Sequence, residues 1–213
     1  MTSHLPNLSA IRKVRRKIQN LPHEFYWNIS PTVGEFFCNI VIAQQYTSIL
    51  EIGCSNGYSA LWFAEALAQT DGHLFTVESN KQRQHQAQRH FHQAGAQARI
   101  TLIKGHAPEV FADYPQIRDL DLAFFDATKS EYPSCLQVII PRLNPTGIII
   151  ADNIKSHWDQ NQKFIANACA LTDYQVLYSP DFGTGMLAIV PLAKADELQN
   201  QLGKFSNHNW SVL

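Results

Sequence analysis

Between residues 48 and 191 the chain alternates short apolar runs with stretches of helical periodicity, and this alternation constrains its fold more than any other feature. Strands are expected at 48–52, 73–78, 99–103, 120–125, 147–151, 174–178 and 186–191, with helices at 57–69, 80–94, 107–113, 130–141 and 157–171 between them. Apolar runs of this length, bounded by polar or turn residues, read as strands buried on both faces, and the strand–helix order implies parallel pairing through crossover helices. Only Ser-Pro-Asp-Phe-Gly-Thr-Gly separates the last two strands. That connection is too short for a crossover helix, so these two should pair antiparallel. The expected class is α/β, a mainly parallel seven-stranded sheet with an antiparallel edge strand and helices on both faces.

Two further helices are expected ahead of this region. Ser30-Pro31 combines an N-cap with proline at the first helical position, and Val33, Phe36, Phe37, Ile40 and Val41 then form an apolar stripe. Residues 9–20 put Ile11, Val14 and Ile18, with Leu21 beyond them, at helical spacing; Arg12, Lys13, Arg15, Arg16 and Lys17 cover the remaining surface as a solvated basic face. Residues 192–213 read as a polar helix and a tail carrying Trp210, without a motif. A length of 213 residues suits one domain over 1–213, with 1–46 as helices covering a site, 47–191 as the core and 192–213 as the tail.

Composition excludes several classes of partner. Seventeen basic residues stand against 18 acidic ones, so no global field draws the chain to nucleic acid or an anionic membrane. Cys38, Cys54, Cys135 and Cys169 form no C-x-x-C pair, as expected of a reduced chain. The opening Met-Thr-Ser-His-Leu-Pro-Asn-Leu lacks the apolar centre of a leader, and a cytoplasmic location is expected. Histidines 85, 90 and 92 do not follow a metal-binding i, i+4 pattern, and their helix reads as a solvated one.

Two acidic points close apolar runs: Asp126 ends Leu-Asp-Leu-Ala-Phe-Phe-Asp, and Asp152-Asn153 end Gly-Ile-Ile-Ile-Ala-Asp-Asn. Both lie at carboxyl ends of strands, where the ligand crevice of an open α/β sheet is found. Neighbouring strands are about 4.8 Å apart, so two carboxylates and an amide can converge on one cation. The alternative is that Asp152 and Asn153 cap the following turn and Asp126 caps the helix near Ser130.

Glu51-Ile-Gly-Cys-Ser-Asn-Gly-Tyr-Ser turns the first strand into a helix through Gly53 and Gly57, positions where glycine permits positive φ and close approach of a ligand. The spacing is G-x-x-x-G, not the G-x-G-x-x-G of dinucleotide binders. Glu78 closes Leu-Phe-Thr-Val-Glu 21 residues after Gly57, where a carboxylate can accept both hydroxyls of a ribose. Together the turn and the acid favour an adenosine-bearing cofactor.

Leu50 to Trp62, Phe124-Phe-Asp-Ala-Thr-Lys-Ser-Glu-Tyr132 and Ile150-Ala-Asp-Asn153 resemble, in order and spacing, the class I S-adenosylmethionine-dependent O-methyltransferases of the cation-dependent catechol and caffeoyl-CoA group. The resemblance covers roughly residues 29–191 and implies a Rossmann-like methyltransferase domain with S-adenosylmethionine as cofactor. It implies that Glu51 and the Gly53-Cys54 backbone line the methionine and ribose, Ser59 the carboxylate, Glu78 the ribose hydroxyls and Ala107 the adenine. Asp126, Asp152 and Asn153 match metal ligands, Mg²⁺ being the expected ion, and Lys129 matches the catalytic base. Where the family often has a second acid that holds the cofactor, this chain has Thr128. The acceptor is expected to be a small molecule with adjacent hydroxyls, in a pocket bordered by residues near His157, Trp158 and Phe182. A homodimer is common in similar proteins.

A cation also answers a chemical need. A phenol of pKa near 10 is only about 0.1% ionised at neutral pH, a deficit of roughly 4 kcal/mol for a nucleophilic oxygen. Three oxygen ligands on a hard divalent ion leave about three positions for water or paired hydroxyls. Competing readings are a nicotinamide-dependent oxidoreductase, opposed by the glycine spacing, and an S-adenosylmethionine-binding module without catalysis. A base-modifying enzyme would want an Asn-Pro-Pro-Tyr-like segment where Asp126-Ala-Thr-Lys stands.

Overall fold

The expected strands form as β1 (Ser48–Ile52), β2 (His73–Glu78), β3 (Ile100–Lys104), β4 (Leu120–Phe125), β5 (Leu143–Ala151), β6 (Tyr174–Ser179) and β7 (Met186–Pro191), and a short eighth, β8 (Ser211–Val212), joins them. In this computed structural model, which describes residues 8–19, 21 and 26–213, they make one sheet in the order β3-β2-β1-β4-β5-β7-β6-β8. β3, β2, β1, β4 and β5 pair in parallel, whereas β7 pairs antiparallel with both β5 and β6. The winding reverses between β1 and β4, and a crevice opens at their carboxyl ends.

Helices α1 (Leu8–Gln19), α2 (Pro31–Ala43), α3 (Tyr58–Thr70), α4 (Lys81–Ala94), α5 (Tyr132–Ile139), α6 (Trp158–Cys169) and α7 (Ala195–Ser206) complete the fold. Alternate residues of the central strands feed two apolar layers. Ile49, Phe124 and Ile150 join Phe37 of α2, Phe63 of α3 and Leu202 of α7; Leu50, Phe125 and Ile149 join Leu136 of α5 and Phe164 of α6. The α2 start follows expectation, since Ser30 Oγ accepts from Val33 N at 3.2 Å behind Pro31.

Four expectations are corrected. The sheet has eight strands, not seven, because Ser211 and Val212 pair with Tyr178 and Leu177; a two-residue exposed strand leaves no periodic signal. The helix expected at 130–141 splits into a 3₁₀ turn at Lys129–Glu131, α5 and a second 3₁₀ turn at Ile140–Arg142, because Pro141 lacks the N–H that would continue the helix. β5 begins at Leu143 and not at 147, with a register shift opposite Leu120 and Leu122 that accommodates Asn144-Pro145. The basic face of α1 is partly turned inward: Arg12 and Arg15 both pair with the buried Glu65 of α3, and the Arg15 guanidinium lies 3.2 Å above the Trp62 ring. Residue 20 and the chain opening, 1–7, lie outside the described residues. Among the described residues no helix is long and apolar enough to cross a membrane.

Candidate active site

The glycine turn locks the ends of three strands together. Gly53 and Gly57 adopt φ of 104° and 88°. A Cβ on Gly53 would overlap the Asp126 carbonyl, so only glycine lets the end of β1 pass this close to the end of β4. Gly53 N and Cys54 N both donate to Val77 O, at 3.1 and 3.0 Å, and Asp126 N donates to Ile52 O at 2.9 Å. Glu78, at the end of β2, accepts from Ser55 N at 2.7 Å and from Asn80 N at 2.8 Å. Its carboxylate is therefore held against the turn by backbone donors, and each oxygen keeps further acceptor capacity. His90 of α4 joins the same turn, with Nδ1 2.7 Å from Asn56 O. Because a carbonyl only accepts, Nδ1 is the protonated nitrogen, and burial lowers the pKa of the ring. The solvated reading of this helix face fails at His90.

Glu51 sits behind the cleft wall and not in it. Its carboxyl is fully buried, with Oε2 2.5 Å from Thr76 Oγ1 and Oε1 without a hydrogen-bond partner among the described residues. Burial pushes its pKa up to about 7, with Ser59 and Thr76 pulling it down and the Asp126 and Glu78 charges adding to the rise. Two residues before Gly53, the Glu51 side chain is packed against Thr76 of the neighbouring strand β2.

At the ends of β4 and β5 the second half of the site is assembled. Asp152 N donates to Phe125 O at 3.0 Å, which sets the two strand ends side by side. Asp152 Oδ1 accepts from Asn153 N at 2.6 Å and from Thr184 Oγ1 at 2.7 Å. Asn153, with φ of 63°, donates from Nδ2 to the same Thr184 hydroxyl at 2.5 Å. Thr184 thus pins one carboxylate oxygen and the amide nitrogen, leaving Asp152 Oδ2 and Asn153 Oδ1 without hydrogen-bond partners among the described residues. Among the described residues the Asp126 carboxylate accepts only from Lys129, at 3.5 Å, and it does not cap the following turn. Burial raises its pKa against the pull of Lys129, and the Asp152 charge adds to the rise.

Lys129 is 8% exposed and not an ordinary surface lysine. Its Nζ donates to Ala127 O at 2.7 Å and to Tyr132 Oη at 3.0 Å, and burial lowers its pKa despite the neighbouring carboxylates. The Tyr132 hydroxyl in turn stands 2.9 Å from Phe125 O. It is one of four residues the sequence did not flag, with Thr184, His90 and His208. Only Thr184 had a usable signal, the Gly-Thr-Gly of a loop facing a strand end.

Both halves open into one cleft of about 1130 Å³. Gly53, Cys54, Ser59, Glu78 and Ala107 line it together with Asp126, Thr128, Lys129, Asp152 and Asn153. His157 and Phe182 border it as expected, whereas Trp158 packs on Tyr178 with ring centroids 5.7 Å apart. No three His, Cys, Asp or Glu side chains gather at one point among the described residues. A cation here would rest on two carboxylates and an amide oxygen, an all-oxygen set that fits a hard ion and not a soft one.

Residues 50–154 match the family model described as a methyltransferase domain. Among curated relatives, a catechol O-methyltransferase of Niastella koreensis is 30% identical over 132 residues, 60% of this chain and 58% of that protein. The chain spans little more than half the length of the catechol O-methyltransferases it matches. Among solved structures, one from Klebsiella pneumoniae described as a candidate O-methyltransferase superposes with a TM-score of 0.73 at 25% identity, covering 86% of this chain and 89% of that one. A methyltransferase from Podospora anserina, bound to S-adenosylhomocysteine, superposes with a TM-score of 0.74 at 24% identity over 85% and 87% of the two chains, and shares the fold.

Proposed function

Residues 50–154 match the methyltransferase-domain model, and we propose that the chain transfers the methyl group of S-adenosylmethionine to a hydroxyl of a small catechol-like or phenolic acceptor, with a divalent cation, Mg²⁺, at Asp126, Asp152 and Asn153. One observation carries the reading: a single cleft is lined both by a carboxylate, Glu78, tied to a glycine turn and by the oxygen-bearing side chains of Asp126, Asp152 and Asn153. The Niastella koreensis relative is named for catechol methylation, and the Podospora anserina structure holds the demethylated cofactor.

On this reading Glu78 accepts the ribose hydroxyls, and the Gly53-Cys54 backbone and Ser59 border the methionine portion. Ala107 sits beside the adenine, and the Thr128 hydroxyl takes over the contact made elsewhere by an acid. Asp126, Asp152 and Asn153 hold the cation, which when bound supplies the Lewis acidity that ionises a phenol at neutral pH. Thr184 fixes which oxygens of Asp152 and Asn153 remain available. Lys129 Nζ, with its pKa lowered by burial, is the group that takes the acceptor's proton. The cleft holds cofactor and acceptor against each other, and positioning of this kind supplies a large share of the rate.

The test is methyl transfer from isotopically labelled S-adenosylmethionine to catechols, flavonoids and hydroxycinnamoyl esters, with and without EDTA. Transfer that EDTA abolishes and Mg²⁺ restores is the expected result. Asp152→Ala should lose cation stimulation while binding S-adenosylmethionine within about twofold of the unaltered protein. Transfer indifferent to EDTA would remove the cation from the reading, and no binding of S-adenosylmethionine would sink the reading altogether.

A further inference from the structure

The carboxyl-terminal segment carried no motif, yet it delivers a side chain to the cleft. β6 runs parallel to β5, since each is antiparallel to β7, so its end at Ser179 lies at the same edge of the sheet as Asp152. β8 is antiparallel to β6 and begins opposite Tyr178. The turn between α7 and β8 therefore falls at the cleft end of the sheet, and His208 of that turn lines the cleft.

This turn is firmly built. Asn207 takes φ of 56° after the last residue of α7. Ser206, 2% exposed, donates from Oγ to Leu202 O at 2.7 Å and accepts from His208 N at 3.2 Å and from Trp210 Nε1 at 3.0 Å. Trp210 is buried and stacks on Phe36 of α2, with centroids 6.2 Å apart. The His208 ring packs on Phe182 at 5.3 Å, two residues before the Thr184 that organises Asp152 and Asn153. His208 Nδ1 stands 2.7 Å from Ser206 O. A carbonyl only accepts, so Nδ1 carries a proton, and in the neutral ring Nε2 is left as a bare acceptor. No hydrogen-bond partner meets Nε2 among the described residues.

We infer that His208 is a specificity-determining residue for the acceptor, its Nε2 accepting a hydrogen bond from a hydroxyl that the acceptor carries in addition to its reacting pair. The geometry points to a built role because backbone, serine, tryptophan and phenylalanine contacts fix the ring at the cleft wall with one nitrogen unspent. The inference rests on the phenolic-acceptor reading, and its test measures binding so that the two can fail separately.

The probes are catechol, which has no additional hydroxyl, and pyrogallol, 3,4-dihydroxybenzyl alcohol and 2-(3,4-dihydroxyphenyl)ethanol, which place one at increasing reach. Their dissociation constants would be measured by calorimetry on the cofactor-loaded protein and on His208→Phe, which keeps the ring packed on Phe182 but removes both nitrogens. At least one trihydroxy probe should lose three- to tenfold in affinity relative to catechol, the size of one hydrogen bond between neutral groups. His208→Gln should recover part of that loss. Equal losses for all four probes, no loss for any, or no binding of any probe to the unaltered protein would overturn the inference. Should the probes bind with the expected selectivity but receive no methyl group, the proposed reaction fails while the role of His208 stands. A near-ultraviolet dichroism spectrum matching the unaltered protein, read through Trp210, checks that the turn has kept its packing.

Discussion

From the loop that joins β6 to β7, the hydroxyl of Thr184 donates to Asp152 Oδ1 at 2.7 Å, and the Thr184 hydroxyl oxygen accepts from Asn153 Nδ2. One side chain from an antiparallel edge thereby orients two residues at the end of a parallel strand. Thr184→Val keeps the shape and deletes the hydroxyl. Loss of a partner that orients metal ligands weakens cation affinity about 10- to 100-fold. Calorimetric Mg²⁺ titration should show this with S-adenosylmethionine affinity unchanged; an unaltered Mg²⁺ isotherm would remove the orienting role.

Glu51 predicts a pH dependence of stability. Its folded pKa, about 7, lies above the ordinary carboxylate value near 4.3 of an unfolded chain. Between those values the folded protein holds a proton that the unfolded chain has released, so stability is greatest below the lower value, falls as pH rises through the window and levels off above about 7. The fall is on the order of 3 kcal/mol at about 1.4 kcal/mol per pH unit. Glu51→Gln should flatten urea-unfolding free energies across that window and make the variant the more stable protein at pH 8. Parallel pH profiles for the two proteins would refute the assignment.

Gly53→Ala confronts both a φ of 104° and an overlap with the Asp126 carbonyl. The backbone conformation alone costs about 1–3 kcal/mol for a residue with a Cβ, and relieving the overlap must push β1 and β4 apart. A fall in stability of about 3 kcal/mol and loss of S-adenosylmethionine binding are expected. Gly95→Ala is the control, because its φ of 64° imposes similar strain but no atom lies near the added carbon. Equal effects at both sites would show that strain and not close approach governs the turn.

Lys129→Met should lower kcat for a phenolic acceptor by a factor of about 10²–10⁴, the usual contribution of a positioned base, with cofactor affinity little changed. Because Nζ also bonds Ala127 O and Tyr132 Oη, thermal unfolding of the variant should be recorded alongside. A stable variant with undiminished kcat would show that Lys129 is a structural strut.

The alternation of apolar runs and helical periodicity was enough to locate β1, β2, β4 and β7 at their observed residues and to set the parallel core. Such runs report local burial, and local burial is what a sequence records directly. The acids at the ends of β4 and β5 and the glycine turn after β1 were legible for the same reason, since each sits where an apolar run stops. Relations across distant segments were not. Glu51 is buried because β1 lies between β2 and β4, Lys129 is enclosed by Ala127 and Tyr132, Thr184 meets Asp152 and Asn153 because β7 inserts between β5 and β6, and His208 lines the cleft because β8 closes on β6. The sequence by itself determined the fold class, the turn and the oxygen donors. Tertiary structure alone decided which of those groups face the open cleft and what holds them there, because orientation depends on pairing between strands far apart in the chain, and that pairing leaves no periodic trace.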